Sequence, residues 1–187
     1  MGRGFTLLEV LVAISVLMVA VAAPITIVQK GLSSAVYTKN QMIASYLAQD
    51  AIEYIKNKRD YLTINSLDAF GGHSYDWNSL SIFSLCLTSS NPNGCQIDTI
   101  KNSLNITDDI SAYSGSVHLK LGDNNGTHAG MYQYMDGGDT NFTRQIQITL
   151  DPYNLIHSNP NEAMVKVTVS WGSADNTVTT KALIYNY

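Results

Sequence analysis

Charge is scarce in this chain. Asp, Glu, Lys and Arg make up 14% of its residues and sum to a formal net charge of −4, with a pI near 5.4. A surface that neutralises many phosphates needs an excess of lysine and arginine, so this balance argues against nucleic acid as a partner. Catalytic motifs are missing as well. There is no glycine-rich phosphate loop, no Ser-His-Asp order with a nucleophile elbow, and no paired zinc spacing. His73, His118, His128 and His157 are scattered along the sequence. An enzyme therefore has no catalytic constellation behind it. Internal repeats, heptad arrays and a long disordered tail are absent too, and 187 residues suffice for one domain with a sizeable core plus an appendage.

Cysteine is nearly absent, and the two that occur are close together. Eight residues separate Cys86 from Cys95, among them Asn91-Pro92-Asn93-Gly94. Proline presets φ and Asn-Gly tolerates positive φ, so this stretch turns the chain back on itself. Such a turn brings the two Cα atoms within disulfide range. The alternatives are two free thiols or half a zinc site, and the latter lacks a CxxC or a clustered histidine partner. A disulfide is the expectation for an exported chain.

What the chain does have is a long apolar run. After Arg3 the only charged residue before Lys30 is Glu9, so 10–29 is an uncharged segment of the length that crosses a bilayer as a helix. Arg3 on its N-terminal side places that end in the cytoplasm and the rest of the chain outside. Glu9 breaks the pattern of a plain anchor. A carboxylate in a membrane segment costs about 2.5–3.5 kcal/mol on insertion scales, and it normally marks a function and a partner. A cut between Gly4 and Phe5 creates a free ammonium group one helical turn from Glu9. A competing site at Ala20-Val21-Ala22 has the small residues of conventional signal-peptide cleavage, which leaves a soluble secreted protein. Glu9 inside the apolar region and Pro24 just beyond that cut count against it.

Gly4-Phe5-Thr6-Leu7-Leu8-Glu9-Val10-Leu11-Val12-Ala13 resembles the prepilin signal of type IV pilins and type II secretion pseudopilins. The resemblance implies that a membrane prepilin peptidase cuts after Gly4 and methylates Phe5. It also implies that Glu9 pairs with the N-terminus of a neighbouring subunit, and that Pro24 marks a point where the helix kinks or opens. Ala48-Gln49-Asp50-Ala51-Ile52-Glu53 is loosely similar to the same region of minor pilins of the pilus-modification type. The implied partners are other pilin subunits, the peptidase/methyltransferase, an inner-membrane assembly platform and membrane lipid. The implied location is a single pass of the inner membrane, then a pilus or pseudopilus. An adhesin or DNA-uptake tip mounted on such a filament is the alternative, with Tyr132, Tyr134 and Tyr153 as its aromatics.

The remaining sequence divides by period. Residues 1–4 form the expected leader, 5–29 the membrane or filament-core half of a helix, 30–62 its amphipathic half and 63–187 an exported head. Within 35–60, Ile43, Leu47, Ala51, Tyr54 and Ile55 recur at spacings of three and four, giving one apolar stripe. The Ser- and Asn-rich stretch 63–114 reads as a connection carrying the disulfide loop. In 115–187 the period becomes two, with strands predicted at 116–121, 142–150, 163–171 and 177–185. Residues 172–176 form a hairpin loop between the last two. The fold expectation is α+β and pilin-like, a long N-terminal helix packed on a C-terminal antiparallel sheet. No cofactor is expected, apart from a weak calcium candidate in Asp123, Asn125, Asp136 and Asp139, whose spacing is not that of an EF-hand. Asn105, Asn125 and Asn141 begin N-x-S/T triplets, read as chance.

Overall fold

The computed structural model describes residues 4, 6–65, 83–101, 106–123, 128–150, 162–172 and 175–185. The chain divides into two compact units, Met1–Asn40 and Gln41–Tyr187. A single helix, α1, runs over Leu7–Asn65, and its assignment continues through Pro24. Proline has no N–H, so the Ala20 carbonyl loses its usual helical donor at that point. Hydroxyls within the helix are satisfied locally. Ser15 donates to the Val12 carbonyl at 2.8 Å and Thr38 to that of Ser34 at 2.9 Å, the back-bonding that lets small polar residues sit in an apolar helix.

In the second unit, β1 (Cys95–Ile97), β2 (Ile110–Ala112), β6 (Phe142–Leu150), β7 (Glu162–Trp171) and β8 (Thr177–Tyr185) form a five-stranded sheet. Its order is β2-β1-β6-β7-β8, and every neighbouring pair is antiparallel. Strict alternation explains the long strands. Ile146 and Ile148 of β6 stand opposite Val167 and Val165 of β7, and all four are fully buried. They share one apolar cluster with Leu47, Ala51, Tyr54 and Ile55 of α1, so the predicted stripe does face the sheet. Ala44, Ala48 and Ala51 are completely buried in that cluster and leave room for the helix backbone next to β-branched side chains. Each fully buried valine or isoleucine contributes about 1.5–3 kcal/mol.

Two expectations need correction. Of the strand predicted at 116–121 only β3 (Lys120–Leu121) forms, and it joins β4 (Tyr132–Gln133) and β5 (Gly138–Asp139) in a separate three-stranded sheet. Val117, Leu119 and Leu121 do alternate with Ser116, His118 and Lys120, but of the three only Leu119 is buried, and its backbone bonds to Phe142 and Thr140 rather than continuing a ladder. Second, 63–114 is not merely a connection, because β1 and β2 from within it complete one side of the main sheet. Both are three residues long, below the length at which alternation is visible.

The disulfide joins Cys86 and Cys95, whose Cα atoms lie 4.6 Å apart. Gly94 makes the turn before it possible. Its φ is +70°, and a Cβ there would sit 2.1 Å from the Ile146 carbonyl oxygen. The two bonded cysteines cover the same edge of β6. Cys95 pairs with Ile146, while the Cys86 carbonyl accepts from the Ile148 N–H at 2.7 Å and Leu87 bridges to Ile148 in parallel. The link therefore clamps two separate pieces of chain against one strand. Replacing both cysteines by alanine is expected to lower stability by about 2–3 kcal/mol on the chain-entropy view. Urea unfolding of the purified protein checks the size, and mapping without reductant should recover the linked peptides. Two alkylatable thiols in folded, exported protein would refute the link.

A buried cation also ties α1 to the sheet. Arg144 of β6 is fully inaccessible, and its Nη1 donates to the Leu47 carbonyl at 3.1 Å and to the Asp50 carboxylate at 3.0 Å. Its Nη2 donates to the Ile97 carbonyl of β1 at 2.6 Å, while its Nε has no partner among the described residues. Beside it, Asp98 accepts the backbone N–H groups of Ile100 and Tyr134, and the Tyr54 hydroxyl donates to Asp109 at 2.7 Å. Burial pushes the Tyr134 phenol up from its ordinary value, although the neighbouring Arg144 pulls it down, so it remains a neutral part of the network at physiological pH.

Candidate assembly segment

The N-terminal unit presents its chemistry at the first turn of α1. Thr6 immediately precedes the helix, and its Oγ1 accepts the Glu9 N–H at 3.4 Å while its carbonyl accepts the same N–H at 3.0 Å. Thr-x-x-Glu is the capping-box spacing, in which the threonine satisfies an orphan donor and the glutamate reaches back toward the cap. The cap was legible in Thr6-Leu7-Leu8-Glu9, and reading Glu9 only for its charge missed it. The carboxylate also lies where the helix dipole favours negative charge. A carboxylate at this position thus suits a helix start, separately from any partner.

From there the segment is apolar on all sides. Every side chain described between residues 6 and 39 is exposed, with Leu7 at 83%, Leu17 at 65% and Leu32 at 67% accessibility. A helix apolar all round is buried by something other than water. Its length and composition are those of a membrane-crossing helix. Gly4 is exposed just ahead of the cap, and a Cβ there would meet nothing within 4 Å. The scissile bond proposed from the sequence therefore lies next to open space on its Gly4 side; Phe5 lies outside the described residues.

The calcium candidates are not brought together. Asp123 follows β3, Asp136 lies between β4 and β5, and Asp139 is in β5 opposite Lys120. Asn125 lies outside the described residues. Among the described residues no three His, Cys, Asp or Glu side chains group in a way that could hold a metal ion.

Residues 2–23 match the family described as the prokaryotic N-terminal methylation motif. That span contains Gly4, Phe5 and Glu9, and it stops one residue short of Pro24. No curated protein and no solved structure matches the chain at a significant level. An apolar helix opening on Thr6 and Glu9 and a glycine exposed before it agree with that motif. The N-terminus of this chain is a type IV pilin-like prepilin signal.

Proposed function

We propose that the protein is a structural subunit of a type IV pilus or type II secretion-like filament, in the class of minor pilins and pseudopilins. A prepilin peptidase removes 1–4 and methylates Phe5. Segment 5–29 then holds the chain in the inner membrane, with the head of 63–187 outside, and later enters the filament core against other subunits. The amphipathic segment 30–62 carries the head, and Pro24 supplies the weak point at which the helix bends during assembly. The observation that carries this reading is Glu9, a carboxylate opening an exposed apolar helix four residues after the new N-terminus. The chemistry is done to the protein rather than by it.

Mass spectrometry of the mature protein is expected to find an N-terminal methylated Phe5, and Gly4→Val is expected to block the cut. A mature chain that begins at Ala23 or Pro24 would sink the proposal in favour of a conventionally secreted protein. A filament-mounted binding module is the second reading, and a cleft in the head supports it.

A further inference from the structure

At the end of the main sheet, where β6 begins and β7 ends, a cleft of about 220 Å³ is lined by Tyr113, His118, Asn141, Thr143, Ser170 and Trp171. It contains no Lys, Arg, Asp or Glu. The side chains of Tyr113, His118, Asn141, Thr143 and Ser170 make no hydrogen bond among the described residues. Thr143 nevertheless is only 8% exposed. Convergent polar groups without internal partners are what fixes a ligand's orientation, and a cleft smaller than the roughly 300–1,000 Å³ of drug-sized sites suits a small moiety or one end of a longer ligand.

The surrounding sheet face is also polar, although in its second row Gln145 donates to the Asn93 carbonyl and the Thr168 and Thr179 hydroxyls bond to each other. Thr143 stands opposite Ser170, and Ser170 opposite Thr177 on β8, which gives a row of three hydroxyls about 4.8 Å apart. Two residues along, the next row is Gln145, Thr168 and Thr179. Moving away from the cleft, charge first appears in the third row, at Lys166 and Lys181.

We propose that this cleft binds a neutral carbohydrate, with the sheet face extending the site along an oligosaccharide. The chemistry selects that class. Hydroxyl and carboxamide side chains both donate and accept, as sugar hydroxyls do, whereas a charged ligand would find no Lys, Arg, Asp or Glu in the cleft. Tyr113 adds an aromatic body with a polar tip, suited to a ring that is apolar on its face and polar at its edge. The site lies entirely in the second unit and requires neither processing nor polymerisation, so it stands or falls apart from the filament proposal.

The test is saturation-transfer NMR on the full chain in lauryldimethylamine oxide, a detergent that carries no sugar. The probes are cellohexaose, maltohexaose and chitohexaose, with oligogalacturonate as the acidic comparison. The expected result is transfer to at least one neutral hexamer and a weaker signal from the acidic one. Asn141→Lys, an exposed substitution that brings length and charge to the cleft, should weaken that binding at least about tenfold. Thr179→Lys, on the same face beyond the cleft, should cost little for a short trisaccharide and more for the hexamer. Near-ultraviolet circular dichroism shows that each variant is folded. The proposal is overturned by no transfer from any neutral hexamer, by stronger transfer from oligogalacturonate, or by transfer that folded Asn141→Lys leaves unchanged.

Discussion

Replacing Glu9 by alanine is expected to leave membrane levels and cleavage after Gly4 near normal while removing most of the subunit from sheared filaments. Insertion becomes easier, because the segment that follows Arg3 is then uncharged as far as Lys30. On the proposed pairing, the same change would strand the Phe5 ammonium of a neighbour in apolar surroundings in a filament core. Such a loss costs about 3–5 kcal/mol where the site is fully buried, enough to exclude a subunit from an equilibrium assembly. The capping box supplies a second explanation that must be separated from the first. Glu9→Gln keeps a side chain that can reach back to the cap but removes the charge, so it should fail in assembly nearly as badly as Glu9→Ala while retaining the helix start. Glu9→Asp, with a shorter reach, should be intermediate. The measurement is subunit in sheared filaments against subunit left in the membrane. If Glu9→Gln assembles like the parent and Glu9→Ala does not, the role is capping. If Glu9→Ala enters filaments as well as the parent, the pairing account is wrong.

The largest loss of head stability is expected from Arg144→Ala. Its guanidinium is the fully buried link between Leu47 and Asp50 on α1 and Ile97 on β1. Truncation leaves the Ile97 carbonyl without that donor and opens a cavity against the helix, and a cost of about 3–5 kcal/mol follows. The partner is not equivalent. Asp50 is 51% exposed and also accepts the Thr99 hydroxyl, so water compensates much of what it loses. Asp50→Asn keeps an acceptor for both donors and should cost about 1–2 kcal/mol. Because the two share one contact, the double variant should cost less than the sum. Urea denaturation of all three in the same detergent tests the order. An Arg144→Ala protein as stable as the parent would show that the network carries no net energy.

How much of this was legible follows from pattern length. Strands β6, β7 and β8 run for nine or ten residues, long enough for Ile146-Ile148 and Val165-Val167-Val169 to betray a buried face. The helix stripe was readable for the same reason, although Ala44 and Ala48 escaped notice because small side chains carry little hydrophobic signal. Arg144 could have been found. The parity that puts Ile146 and Ile148 inside puts residue 144 inside too, and an arginine at an inward position demands partners. Strand β1 was hidden, since Gln96 within it and Asp98 just after it are buried polar residues that read as loop, and β2 is too short to show alternation. At the N-terminus, Glu9 stood out as a charge bordering an apolar run, and Gly4 and Phe5 through the resemblance to a prepilin signal. The head's cleft did not, because Thr, Ser and Asn on a strand look like any wet face.

The outer edge of β8 has further consequences once many heads stand side by side. No strand pairs with it among the described residues, so the backbone groups of β8 that do not bond to β7 border the sheet, apart from the Tyr185 carbonyl, which accepts from Arg59. Tethering on a shared shaft raises the local concentration of identical edges far above that of free protein. An open edge in such a crowd invites neighbours to fuse into one continuous sheet. Lys181 sits at the midpoint of β8, opposite Lys166 on β7. Antiparallel fusion of two copies in full register would set Lys181 against its twin, lining up four ammonium groups across four strands. Like charges directly opposed are destabilising, so in the proposed filament the lysine pair would keep adjacent heads as separate bodies without closing the edge.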